Sequence, residues 1–279
     1  MQRIRLAAVS YLNALPLTWG FTRGRQRGLF DVMLAPPAEC ARLLQDGLAD
    51  VALIPSIEFA RTSGLSAVPG TGISARTEVR SVLLLSRVPP PSIRTLAVDA
   101  NSRTSVALAR LILERLHRCR PQMEAMPPEP EAMLARHDAA LVIGDAALRA
   151  SLSLPPAVEG LHVMDLAREW TQMTRLPFLF AFWACRPVVE AGSLKESFDR
   201  SLEEGLLNID RIAAEESART ALPPELIASY LRQNIHYRIG SEETGSLRVF
   251  FRMCRESGLL PPQERRALSS ISSDTRNSG

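Results

Sequence analysis

Ser10-Tyr11-Leu12-Asn13-Ala14-Leu15-Pro16-Leu17 follows directly on the apolar run Ile4–Val9, and this junction decides how the chain is read. The run has the length and composition of a short buried strand, whereas residues 14–21 read as a helix with Pro16 in its first turn. Asn13 stands where an N-cap belongs. A polar corner between the carboxyl end of a strand and the start of a helix is where open α/β sheets place their ligands. Residues 10–13 are therefore the first candidate site.

Working outward, strands and helices alternate. Residues 37–46 form a helix stopped by Gly47, and residues 50–55 a wholly apolar strand ended by proline. Residues 78–86 supply a further strand, and Val88-Pro89-Pro90-Pro91-Ser92 a stiff connector of the kind found between domains. A second unit follows, with a strand at 95–98, a turn at Asn101-Ser102, a helix at 103–118 that is apolar on more than one face, and a proline-broken loop at 121–130. Residues 139–143 are a strand that Gly144-Asp145 turns into a helix, and residues 176–184 a long buried strand leaving this unit. Helical patterns occupy 193–206, 209–218, 223–234 and 242–256. Two α/β lobes, one closed by C-terminal helices, fit this order.

Composition narrows the function. The chain has 279 residues, 46% of them hydrophobic, enough for two ordinary domains with real cores. A formal charge of +3 is too small and too scattered for nucleic-acid binding. Lys195 is the single lysine, which leaves Schiff-base chemistry one candidate. Cys40, Cys119, Cys185 and Cys254 show no C-x-x-C spacing, and the four histidines no ligand spacing, so no metal is expected and the cysteines read as reduced cytosolic thiols. No run of 18 apolar residues occurs, and the N-terminal apolar run is too short for a signal peptide. A cytoplasmic protein without a membrane span is expected.

Four polar corners lie at strand ends: Ser10 to Asn13, Pro55-Ser56-Ile57-Glu58, Asn101 to Ser105, and Gly144-Asp145. If the lobes face one another, these corners converge on one cleft. Ser102, Arg103, Thr104 and Ser105 gather hydroxyls and free backbone N–H groups at a helix N-terminus, an arrangement that holds a carboxylate or phosphate but equally serves as a plain cap. Asn13 is a cap or a ligand contact; Asp145 orients a hydroxyl or caps the next helix; Glu58 is an acid at a helix start. Trp170, Phe178, Phe180, Phe182 and Trp183 crowd one segment and read as core packing between lobe and hinge, with a stacking wall as the lesser option. Neither a GxGxxG nor a GxxxxGK[ST] loop is present, so nucleotide binding lacks its usual support.

The segments Ser10 to Leu17, Ile54-Pro55-Ser56-Ile57-Glu58-Phe59, Ser102-Arg103-Thr104-Ser105-Val106, Ile143 to Leu148 and Leu176-Pro177-Phe178 come in the order and at the intervals of one family. Together they resemble the chorismate dehydratases of the futalosine route to menaquinone, from about residue 4 to residue 255. The dihydroxynaphthoate synthases that share the fold open with a Cys-Pro-Asn-Asp-like corner, absent here. The resemblance implies an α/β, two-lobed, type 2 periplasmic-binding-protein-like fold with a discontinuous first lobe. The expected division is residues 1–87 plus 187–260 in lobe 1, 92–182 in lobe 2, hinges at 88–91 and 183–186, and a disordered tail at 261–279.

It also implies an enzyme without metal or organic cofactor, monomer or homodimer, whose small-molecule substrate is chorismate. Asn13 is the expected catalytic residue, with Ser10, Tyr11, Ser56, Ser81, Ser102, Arg103, Thr104, Ser105, Gly144 and Asp145 binding substrate. The implied reaction removes the C3 proton, vinylogously acidic toward the ring carboxylate, and expels the C4 hydroxyl. A neutral amide at 13 is a poor base, so the substrate's own enolpyruvyl carboxylate is the expected proton acceptor, Asn13 its orienter and Glu58 the runner-up base. A non-catalytic anion-binding protein of the same fold is the alternative. A ligand-sensing regulator is a third, weakened by the lack of a DNA-binding helix pair.

Overall fold

The computed structural model describes residues 3–153 and 160–262. In chain order the elements are β1 (Ile4–Val9), α1 (Leu15–Thr22), β2 (Phe30–Ala35), α2 (Pro37–Gln45), β3 (Val51–Pro55), α3 (Ser56–Arg61), β4 (Ser66–Ala75), β5 (Val82–Ser86), β6 (Thr95–Asp99), α4 (Arg103–Leu116), β7 (Gln122–Met126), α5 (Pro130–Arg136) and β8 (Ala139–Ile143). There follow α6 (Gly144–Ser153), β9 (His162–Asp165), α7 (Leu166–Thr174), β10 (Phe178–Cys185), α8 (Ala191–Leu207), α9 (Ile209–Thr220), α10 (Pro224–Ser229), β11 (His236–Arg238) and α11 (Ser241–Glu256). Part of the expected tail, residues 263–279, lies outside the described residues.

Among the described residues the strands make two sheets, one ordered β11-β4-β10-β3-β1-β2 and the other β7-β6-β8-β5-β9. In the first, β1 runs parallel to β2 and β3, while β10 is antiparallel to β3 and β4. In the second, β6 is parallel to β7 and β8, and β5 antiparallel to β8 and β9. β3, β5, β8 and β10 are buried along their whole length, as strands covered on both faces must be. No helix among the described residues is long and apolar enough to cross a membrane.

Sheet membership moves the expected boundaries. Val82–Ser86, assigned by sequence to the first lobe, pairs in the second sheet, and Phe178–Cys185 pairs wholly in the first. The chain therefore crosses between sheets at residues 76–81 and 166–177, not at 88–91 and 183–186. The Pro-rich connector instead forms a 3-10 turn at Pro90–Ser92 inside the second unit, because β5 and β6 both flank β8. Both crossings meet at Asp165, whose carboxylate accepts from the backbone N–H groups of Val79 (3.0 Å), Arg80 (2.6 Å), Ala167 (3.0 Å) and Arg168 (3.2 Å). Arg80 sits there at φ 59°, a left-handed conformation that a non-glycine residue holds only when its surroundings enforce it.

Other strands were not expected. β2, β4, β9 and β11 fall in stretches without clear alternation, and β7 lies inside the expected loop 121–130.

Candidate functional site

A cleft between the two sheets, open to solvent, spans about 540 Å³ of empty space, part of it bulk solvent. Its rim is made where strands end and helices begin. Asn13 lies in the 3-10 turn Leu12–Ala14 that follows β1 and Tyr11 just before it, Pro37 opens α2, Pro55 precedes α3, Ser102 to Ser105 open α4, and Gly144 opens α6. Helix N-termini thus face one space from several sides, and their dipoles make it favourable for an anion. Val9, Ile73, Val79, Ile143 and Phe180 give it apolar walls.

Tyr11, Asn13, Ser81, Ser102, Arg103, Thr104, Ser105 and Gly144, all proposed from sequence, line this cleft. Ser102, although at the N-cap position of α4, makes no cap hydrogen bond, and its Oγ is buried without a partner among the described residues. The Thr104 hydroxyl oxygen accepts from Ile57 N at 3.2 Å, tying α3 to α4. The Arg103 guanidinium is exposed, 3.7 Å from Glu58 Oε2. Asn13 Oδ1 is buried and also lacks a partner among the described residues. A buried carbonyl oxygen left without a hydrogen bond is costly unless something else supplies one.

Gly144 has φ 62°, and a Cβ there would lie 2.9 Å from the Tyr11 ring. The position needs glycine twice over. Burial, with Asp99 and Asp145 nearby, pushes the Tyr11 hydroxyl pKa well up, so it remains a neutral donor. Asp99 itself is raised by burial, against the pull of hydrogen bonds from Asn101 N and Nδ2.

Three of the expected binding residues stand elsewhere. The Ser56 hydroxyl is fully buried and donates to Leu179 O at 2.7 Å, pinning α3 to β10 rather than facing a ligand. Ser10 is outside the lining, with its N–H on Ala35 O at 3.1 Å. Asp145 accepts from Leu12 N at 3.1 Å and from Arg219 Nη2 at 2.9 Å, so it joins α6 to the first corner and to α9. Glu58 is likewise engaged, 2.9 Å from Arg61 Nη1 and beside Arg103, and does not line the cleft. Sequence reasoning missed Tyr230 behind Ser81 and, Phe180 apart, the apolar walls, because these residues carry no motif.

The model of a family described as menaquinone biosynthesis matches residues 4–256. A chorismate dehydratase from Thermus thermophilus is 31% identical over 236 residues, which cover 79% of this chain and 85% of that protein. One from Campylobacter jejuni is 26% identical over 207 residues, 74% of this chain and 75% of that protein. Of solved structures, protein AF1704 from Archaeoglobus fulgidus aligns with a TM-score of 0.73 at 17% identity, over 92% of this chain and 98% of that one. The periplasmic aliphatic sulphonate binding protein SsuA from Escherichia coli aligns with a TM-score of 0.67 at 15% identity, over 100% and 94%. At such identities these two establish the periplasmic-binding-protein-like fold alone. The match over residues 4–256 and the 31% identity reach further: the chain belongs to the menaquinone-biosynthesis family.

Proposed function

We propose that this chain removes water from chorismate to give 3-[(1-carboxyvinyl)oxy]benzoate. The observation that carries the proposal is the set of helix N-termini around an apolar-walled cleft, which suits a cyclic dianion about to become aromatic. Loss of the C3 proton puts charge into the ring carboxylate as a dienolate; loss of the C4 hydroxyl then completes the aromatic ring. The N–H donors at the start of α4 are suited to stabilise that charge. With Glu58 held by two arginines and outside the lining, no carboxylate side chain among the described residues stands in the cleft wall to take the proton. The substrate's enolpyruvyl carboxylate takes it and delivers it to the departing hydroxide as water, which leaves the carboxylate unchanged. Asn13 holds that carboxylate through an amide N–H and offers Oδ1 to the C4 hydroxyl. Four cysteines without disulfides accord with a cytoplasmic site of action.

Incubation of the purified protein with chorismate, followed by mass spectrometry, tests the reading through a product lighter by one water. The fold of SsuA favours a second reading, a binding protein that retains its anion. Tight binding without any lighter product selects it. Asn13→Asp, Asn13→Ser and Asn13→Ala compared at saturating chorismate test the proton's route: turnover supported by a carboxylate at 13 and by no other replacement refutes substrate assistance.

A further inference from the structure

Tyr230 opens the π-type turn Tyr230–Asn234 after α10 and is 1% exposed. It does not line the cleft but stands behind its wall. Its hydroxyl donates to Ser81 Oγ at 2.8 Å, and the Asn13 side chain lies beside the same hydroxyl. Ser81 and Asn13 both line the cleft, yet they come from different stretches, the first crossing and the first corner. Three distant parts of the chain meet at one phenol.

The polarity of this chain of contacts is fixed by counting protons. The phenol has one, and it goes to Ser81 Oγ; the Ser81 hydroxyl proton must then point away from Tyr230. The phenol oxygen has only lone pairs left, so of the two ends of the Asn13 amide only the NH2 group can bond to it. That leaves Asn13 Oδ1 turned elsewhere, buried and unpartnered among the described residues. A plain packing role is the competing explanation, but the neighbouring Tyr237 is also buried and its hydroxyl has no partner among the described residues. Burial alone does not produce the Tyr230 arrangement.

We infer that Tyr230 is a positioning residue: it turns the Ser81 hydroxyl into a donor and the Asn13 carbonyl into an acceptor, both presented to whatever occupies the cleft. The inference rests on the dehydratase reading. A donor for a carboxylate beside an acceptor for a ring hydroxyl matches the two kinds of polar group on chorismate.

Steady-state kinetics with chorismate on the full chain, for wild type, Tyr230→Phe, Ser81→Ala and the double variant, test it alongside thermal unfolding. Tyr230→Phe keeps the buried ring, so the expected result is a folded protein with kcat lower by roughly 10- to 100-fold and KM little changed. The double variant is expected to be no slower than the slower single one, since Tyr230 works through the same hydroxyl. A Tyr230→Phe enzyme with unaltered kcat overturns the inference, and so does a double variant whose loss is the product of the two single losses. Should Tyr230→Phe fail to fold, Ser81→Ala decides: a comparable fall in kcat supports the inference and full activity overturns it. A wild type that does not convert chorismate removes the dehydratase reading and this inference with it, whereas a converting wild type with an unimpaired Tyr230→Phe removes the inference alone.

Discussion

Gly205→Ala sets two effects of opposite sign against each other. Gly205 lies in the last turn of α8, where that helix packs on α1. Alanine is the better helix former by about 1 kcal/mol, so propensity alone predicts a gain. A Cβ at 205, however, would sit 2.0 Å from Pro16 O and 2.6 Å from Pro16 C and Cα, all backbone atoms with no rotamer to give way. The two helices also meet at Gly20, whose N–H donates to Ser201 Oγ at 3.0 Å while that hydroxyl donates to Leu17 O at 2.8 Å, so a shift of α1 strains these bonds as well. Overpacking of this kind costs about 1–3 kcal/mol, and the backbone contact puts this case at the upper end. The expected net loss is about 2 kcal/mol, or roughly 4–8 °C in Tm for a chain of this size. Restoring an ordinary contact requires α1 to withdraw by about 1 Å or more, and Pro16 is close behind Asn13 in the chain. A shift on that scale lowers kcat by up to about 100-fold. Thermal unfolding and chorismate turnover on the same preparation measure both. A variant as stable as wild type, or one that loses stability but keeps full kcat, refutes the coupling of the α1–α8 contact to the site.

Asp145→Ala removes the acceptor for Leu12 N and the partner of Arg219, and is expected to cost about 1–3 kcal/mol of stability and to raise KM, since both bonds join α6 to elements packed with the first sheet. Asp145→Asn keeps an acceptor for Leu12 N and recovers part of the loss; urea titrations that find Asn no better than Ala rule out a role for that bond. Asp50 receives Arg5 N at 3.0 Å, Nε at 3.1 Å and Nη2 at 2.6 Å, which holds its pKa below the ordinary carboxylate range. The unfolded chain therefore binds the proton first as pH falls, so the stabilisation is present above about pH 3.9 and disappears as pH drops through the lower folded value. Asp50→Asn is expected to destabilise near neutral pH and to be close to neutral at about pH 2; equal losses at the two values in chemical unfolding contradict this.

What the sequence made legible was the set of corners, because capping residues, prolines and glycines act locally. Asn13, Thr104 and Gly144 are readable from a few neighbours each, and all three line the cleft. Partner choice between strands is not local. Val82-Leu83-Leu84-Leu85-Ser86 is buried on both faces in either sheet, so its periodicity says nothing of which one it joins, and the three prolines after it imitated a hinge. β4 was hidden by Pro69, Gly70 and Gly72, turn-forming residues inside a strand that is irregular where it pairs with β10. The direction of a hydroxyl is equally invisible: Ser56 and Ser81 look alike in sequence, yet one serves a backbone carbonyl of β10 and the other a phenol behind the cleft. Tyr230 lies about 150 residues from its partner, beyond any spacing argument.

The position of β10 has a consequence for how the protein is made. β10 lies between β3 and β4, so both of those strands keep an unpaired side until residue 185 has been synthesised. The second sheet is complete by Asp165 and draws on no strand outside residues 82–165. During translation the later sheet therefore closes before the earlier one, and β3 and β4 wait as exposed edges for β10, with β11 joining β4 later still. Folding speed is then governed by the docking of one long-range strand, and substitutions that weaken β10 pairing will show first as aggregation of nascent chains.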